Sequence, residues 1–170
     1  MEISVVIITY NEQDRLEPTL KSVANVASEI IIVDSFSSDA TVEIAQKYTP
    51  LVFQRRWTNY SDQKNFANSK ASFPWILSLD ADERLSPQLH EEILRLKETE
   101  PDADAFSMPR RVFYLGKWIR HTVWYPDRKI RIFRRENARW EGEYVHERLE
   151  VGSPSRREHG CPHAHVSSPR

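Results

Sequence analysis

A single cysteine, Cys161, and only four glycines stand among the 170 residues. One thiol cannot close an intrachain disulfide, so no disulfide framework holds the fold, and a reducing compartment suits the chain. Neither G-x-G-x-x-G nor G-x-x-x-x-G-K-[ST] occurs, which disfavours a dinucleotide oxidoreductase and a P-loop enzyme. Long apolar runs are missing too. The longest, Ile3 to Ile8 and Ile30 to Val33, fall far short of the roughly 20 residues of a membrane span. No basic stretch precedes the first of them, so no secretory signal is expected and the cytoplasm is the expected location. Mean hydropathy is −0.62. Even so, 39% hydrophobic and 11% aromatic residues can build the core of one compact domain.

An excess of either charge is also absent overall, with 24 Lys and Arg against 25 Asp and Glu. That balance hides a segregation. Residues 1–109 carry 10 basic and 18 acidic side chains, whereas residues 110–139 carry 10 basic and 2 acidic. A block of +8 beside a body of −8 points to a polyanionic partner such as phosphates or an anionic membrane surface. A solvated strand face is the plainer alternative. Nucleic acid would also fit basic residues among aromatics, but no nucleic-acid motif accompanies them and none is expected as a partner.

Along the first hundred residues strand and helix patterns alternate. Ile3 to Ile8, Glu29 to Val33, Leu51 to Phe53 and Trp75 to Leu79 are short and rich in β-branched or large apolar residues, as strands buried on both faces should be. Between them Leu16, Leu20, Val23, Ala24 and Ala27 recur at helical spacing, as do Val42, Ile44, Ala45 and Tyr48. Asp62 to Lys70 reads as a short helix. Ser86-Pro87 reads as an N-cap followed by proline at the first helical position of a helix carrying Leu89, Ile93, Leu94 and Leu96. This order predicts an α/β fold, a Rossmann-like, mostly parallel sheet flanked by helices. After Pro101 the pattern changes to Phe106 to Met108, Val112 to Tyr114, Lys129 to Phe133 and Val145 to Val151, a small mixed or antiparallel C-terminal region.

Ligands of such folds sit beyond the carboxyl ends of the strands, and there this chain gathers its polar residues. Asp80 and Asp82, one residue apart after the fourth strand, can reach one hard cation such as Mg²⁺ or Mn²⁺, an oxygen-seeking ion that also bridges to phosphates. A helix-capping acidic turn is the structural alternative. Asp34, ending the second strand, can accept from a base or ribose. Thr9 and Asn11 at the end of the first strand can grip the same groups, and Asp39 serves equally well as a cap. Residues 152–170 are mostly Pro, Ser, Arg, Gly and His with almost no apolar periodicity and are expected to be disordered. Cys161, His163 and His165 are spaced too tightly to close a tetrahedral metal site alone.

Four segments, Ile3 to Asn11 (ISVVIITYN), Asp34 to Asp39 (DSFSSD), Gln63 to Ala67 (QKNFA) and Trp75 to Glu83 (WILSLDADE), resemble family 2 glycosyltransferases of the GT-A fold. Met108 to Arg111 (MPRR), Tyr114 to His121 (YLGKWIRH), Trp124 to Arg135 (WYPDRKIRIFRR) and Val145 to Glu147 (VHE) are similar to the lipopolysaccharide inner-core β-1,4-glucosyltransferases. The resemblance covers Ile3 to Val151. Family members continue with further helical sequence there, and residues 152–170 depart from that pattern.

The resemblance implies a UDP-sugar donor, a Mg or Mn cation and inversion at the anomeric carbon. By position Thr9, Asn11 and Asp34 would hold uridine, Asp82 the metal, Asp80 the ribose or metal, and Lys64 the diphosphate. A general base must come from the face opposite the leaving group, with Glu147 the first candidate and Asp127 the second. His146 would complete the metal shell or orient Glu147. Residues 1–109 would form the donor-binding half and residues 110–151 a basic, aromatic acceptor side. That side would take a lipid-linked phosphorylated saccharide at the anionic inner face of the cytoplasmic membrane. The function expected is transfer of a hexose, glucose by resemblance, to the lipopolysaccharide inner core. The rivals are another glycan, lipid or protein acceptor, or a truncated nucleotide-sugar-binding domain.

Overall fold

The computed structural model of the chain describes residues 1–114, 117–118, 127–142, 147–152, 157–160 and 166–169. The first part alternates as the apolar spacing predicts. Its elements are β1 (Ile3–Thr9), α1 (Leu16–Val23), β2 (Glu29–Asp34), α2 (Thr41–Gln46), β3 (Val52–Gln54), α3 (Tyr60–Ser69), β4 (Trp75–Asp80), β5 (Arg84–Leu85) and α4 (Pro87–Lys97). Ser86 Oγ accepts from Leu89 N at 3.2 Å and Pro87 opens α4, the arrangement the Ser-Pro pair predicts. α3 begins two residues earlier than read from the sequence, because Asn59 Oδ1 accepts from Asp62 N at 2.8 Å and caps it.

The second part follows with β6 (Ala103–Tyr114), β7 (Lys117–Trp118), β8 (Asp127–Arg134), a short 3₁₀ turn (Arg135–Asn137), β9 (Ala138–Glu141) and β10 (Arg148–Val151). The two strands expected at Phe106 and Val112 are one, β6, which runs through Pro109 with a register shift between Phe106 and Ser107. Residues 152–170, expected to lack regular structure, contribute β11 (Arg157–Gly160) and β12 (Val166–Pro169), both parallel to β6. A strand ladder is made by backbone N–H and C=O groups, so an edge can recruit a segment with no apolar period.

Among the described residues the main sheet has the order β3-β2-β1-β4-β8-β6-β12-β5. β1 pairs parallel with both β2 and β4, while β8 runs antiparallel to β4 and β6. The α/β, mostly parallel expectation therefore holds for the first half and the mixed expectation for the second. Alternate residues of the central strands enter two cores. Val5, Ile7, Ile32 and Leu77 pack on one face with Leu16 and Leu20 of α1 and Leu89 and Ile93 of α4. Val6, Ile31, Val33 and Ile76 pack on the other with Ala67 of α3, Phe133 and Trp140. Each such aliphatic side chain, removed from water, contributes about 2 kcal/mol. Among the described residues no helix is long and apolar enough to cross a membrane.

Register decides what happens at the sheet edge. Thr9 lies opposite Asp34, and Ile8 opposite Asp80. The carboxyl ends of β2, β1 and β4 thus finish level, and their polar residues open on one side of the molecule.

Candidate active site

A cavity of about 1130 Å³ lies beyond those strand ends. Thr9, Glu12, Asp80 and Asp82 form one wall, and Arg128, Lys129, Glu147 and Arg148 come from the second half of the chain. Four residues singled out in the sequence, Thr9, Asp80, Asp82 and Glu147, thus share one space although they are up to 138 positions apart.

The loops after β1 and β2 are stitched together behind that wall. Asp34 is fully buried. Its carboxylate accepts from Thr9 Oγ1 at 3.1 Å, from Ser37 N at 2.9 Å and from Ser37 Oγ at 2.5 Å. Asp34 does not line the cavity; the neighbouring Ser35 does. Asn11 has φ 52°, a left-handed conformation that asparagine tolerates better than most residues. Its side chain accepts from Ser38 N at 2.9 Å, and its own N–H donates to Ser37 Oγ at 2.8 Å. Asp39, which precedes the N-cap residue Ala40 of α2, accepts from Thr41 N at 3.0 Å and from Gln13 N at 3.2 Å. Phe36, at φ 62°, presents an exposed ring beside exposed Trp57.

After β4 the chain makes a tight turn. Glu83 N donates to Asp80 O at 3.0 Å, and Asp80 N donates back to Glu83 Oε2 at 3.1 Å. Thr19 Oγ1 of α1 anchors the turn by donating to Ala81 O at 2.8 Å. Asp80 meets two cations: Lys64 Nζ lies 3.1 Å from Oδ1 and Arg131 Nη2 lies 3.2 Å from Oδ2. Burial opposes ionisation of Asp80, but the charges of Arg131 and Lys64 outweigh it and hold the carboxyl well below the usual range. Arg131 also pairs with Glu83, which is almost completely buried. Desolvation pushes the Glu83 carboxyl up, against the pull of Arg131.

Lys64 is 2% exposed and does not line the cavity. Its ammonium lies between Asp80 and Glu147, 3.1 Å from each, and 4.4 Å from the centre of the Trp140 ring. α3, which carries Lys64, is bound to β9 by Asn65, whose side chain donates to Trp140 O at 2.8 Å and accepts from Trp140 N at 2.9 Å. Helix, hairpin and β4 therefore close on one buried charge. Asp127 starts β8 opposite Arg110, but its side chain lies outside the described residues, as do His146, Trp124, Tyr125, Cys161, His163 and His165.

Three contributors carry no sequence signal for the site. Glu83 ends the WILSLDADE segment, and Arg131 belongs to the basic block and to the strand expected at Lys129 to Phe133. Glu12 lines the cavity, and its carboxyl is raised by burial, eased by Arg15 and reinforced by the charges of Asp82 and Asp39. The basic block itself divides. Arg131 pairs with Asp80 and Glu83, and Arg134 with Asp104 at 3.3 Å. Arg128 and Lys129 are exposed at the cavity.

The donor set suits a hard divalent cation. Asp82 opens on the cavity and repels Glu12, a like-charge arrangement that a bound cation relieves. Among the described residues no group of three or more His, Cys, Asp or Glu side chains is arranged to hold a metal. Magnesium-type sites need only one or two carboxylates when substrate phosphates complete the shell.

Comparison with known proteins bears on family and fold. The sequence profile of "Glycosyl transferase family 2" matches residues 4–159. A glycosyltransferase of Rickettsia bellii is 47% identical over 92 residues, covering 54% of this chain and 31% of that protein. The lipopolysaccharide core biosynthesis glycosyltransferase LpsC of Rhizobium meliloti is 33% identical over 153 residues, covering 86% of this chain and 56% of that protein. This chain thus spans between about a third and somewhat over half the length of these two relatives. In three dimensions it is similar to S. aureus TarS 1–349 in complex with UDP-GlcNAc, with a TM-score of 0.70 and 16% identity. That match covers 100% of this chain and 59% of the other, and it places the fold among the GT-A glycosyltransferases. The chain belongs to glycosyl transferase family 2.

Proposed function

We propose that the protein moves a hexose, glucose by resemblance, from a UDP-sugar to an acceptor in the lipopolysaccharide inner core, with inversion and with the help of Mg²⁺ or Mn²⁺. The observation that carries this reading is the convergence of Thr9, Asp80, Asp82 and Glu147 on one cavity that Arg128, Lys129 and Arg148 also line. The likeness to LpsC supports the acceptor class, and the likeness to TarS with UDP-GlcNAc supports a nucleotide-sugar donor.

In this reading Thr9, Asn11 and the buried Asp34 shape the uridine end. Asp82 would hold the cation, with Asp80 beside it, and His146, which lies outside the described residues, would be a further ligand. The cation, when bound, supplies Lewis-acid stabilisation to the departing diphosphate. Lys64 adds positive charge beneath that end of the site. Glu147 accepts the proton of the acceptor hydroxyl as its oxygen bonds to the anomeric carbon and the bond to the diphosphate breaks. Asp127 is the alternative base. Arg128, Lys129 and Arg148 face the cavity and attract the phosphates of a lipid-linked saccharide at an anionic membrane surface. Residues 1–109 thereby serve the donor and residues 110–151 the acceptor.

Calorimetry with UDP, with and without Mn²⁺, tests the donor site. Metal-enhanced binding that falls at least tenfold in Asp82→Ala is expected, and equal binding by the variant removes Asp82 from the metal site. A UDP-sugar screen against purified lipopolysaccharide core, with the linkage read by NMR, tests sugar, acceptor and inversion. Glu147→Gln should keep UDP affinity and lose transfer; full transfer by the variant eliminates it as the base.

A further inference from the structure

At the floor of the candidate donor site, where Arg131 lines the cavity and Glu83 lies behind it, is a buried charge pair to which the proposed reaction gives no work. The Arg131 side chain is 5% exposed and that of Glu83 is 1% exposed. One guanidinium nitrogen, Nη2, bridges Glu83 Oε1 and Asp80 Oδ2. The other carboxylate oxygen of Glu83 accepts the Asp80 N–H at 3.1 Å. Glu83 therefore holds the backbone where Asp80 begins, and Arg131 holds the carboxylate where Asp80 ends. A buried ion pair is a poor way to stabilise a core, since well-packed apolar residues in its place are often as stable or more so. What such a pair offers is direction, because charge-assisted hydrogen bonds are short and strong and constrain the geometry of the carboxylate they hold.

We propose that Arg131 is a positioning residue, with Glu83 as its buried counter-charge, and that the pair fixes the Asp80 carboxylate and the Asp80–Glu83 turn so that Asp82 faces the cavity. The proposal rests on the reading of that turn as part of the donor site. Arg131 is well placed for the task because β8, which carries it, pairs with β4 through Leu77 and Ile132, close to the turn. Lys64 takes the remaining Asp80 oxygen from the opposite side, so the carboxylate is held from two elements at once.

The test separates positioning from simple support of the fold. Arg131→Met alone leaves Glu83 buried without its counter-charge and is expected to melt well below the wild type. In Glu83→Gln/Arg131→Met the charge leaves together with its partner, and the new amide can still accept the Asp80 N–H. This double variant is expected to recover most of the melting temperature. It is expected not to recover two other properties. The amides of residues 80–83 should exchange with solvent about tenfold faster than in the wild type, and UDP affinity in Mn²⁺ should fall by about tenfold or more.

A folded double variant with exchange and UDP affinity both within about twofold of the wild type overturns the proposal. Should the double variant not fold, Arg131→Lys, which keeps the charge but loses the forked guanidinium that bridges both carboxylates, carries the same two measurements. Wild-type values there also overturn it. Exchange is read on the full chain without ligand. A wild-type protein that binds no UDP therefore refutes the donor reading by itself, while the exchange of residues 80–83 still decides the role of the pair.

Discussion

Replacing Lys64 by methionine keeps the length of a side chain that is 2% exposed but removes its charge. The ammonium is lost from two carboxylates at 3.1 Å and from the face of Trp140. At an effective dielectric of about 20, each contact represents about 5 kcal/mol of Coulomb attraction before desolvation is charged against it. Most of that is cancelled by the cost of taking the charges out of water. Breaking a fully buried pair costs about 3–5 kcal/mol; both carboxylates here keep some contact with water, their side chains being 32% and 20% exposed. Here the lower end applies, since Asp80 retains Arg131. For a domain of this size about 3 kcal/mol lowers the melting temperature by about 6–12 °C. Glu147→Gln should cost only about 1 kcal/mol, because Glu147 is part-exposed and Lys64 keeps Asp80. Thermal unfolding by circular dichroism, with urea titration as a second measure, reads both. A Lys64→Met protein melting within about 2 °C of the wild type, or less perturbed than Glu147→Gln, refutes the idea that Lys64 is the shared counter-ion of the site.

Two further outcomes follow from the geometry. The Asp80 carboxyl is held below the usual range, so its contribution to stability is complete above the unfolded value near about 4 and is lost as pH falls below that. Asp80→Asn should therefore be less stable than the wild type at pH 7 and converge with it towards pH 2, and an unchanged gap in guanidinium midpoints contradicts the pairing. Asn11→Val should cost about 1–3 kcal/mol, because a β-branched residue is strained at φ 52°. Asn11→Gly should cost less, losing only the hydrogen bond to Ser38, and urea midpoints in the reverse order would discount the backbone argument.

Features with a local period or a local cap were legible in the residues themselves. The strands β1, β2 and β4 announced themselves by β-branched runs, and α4 by Ser86-Pro87. The polar residues at their ends could be placed on one edge because parallel strands in register must finish together. What escaped was long-range. Nothing near Arg131 in sequence signals that it meets a glutamate 48 positions away, and alternating basic and apolar residues read equally well as a solvated strand. Lys64 was expected at a diphosphate, yet the fold buries it between carboxylates from β4 and the β10 approach. Glu12 lacked any pattern, its importance arising only from the loop that brings it beside Asp82 and Asp39.

The antiparallel seating of β8 on β4 has a consequence for how this molecule can come into being. The acid-rich stretch preceding residue 110 would, by itself, bring Asp80, Asp82 and Glu83 together at the mouth of an unfinished sheet, with β4 as a bare margin. The guanidinium that tames two of these groups arrives only with a strand synthesised some fifty residues later. Asp80 and Glu83 of the first half therefore obtain the Arg131 counter-charge only from the second, so a chain cut before β8 would leave Glu83 without its partner.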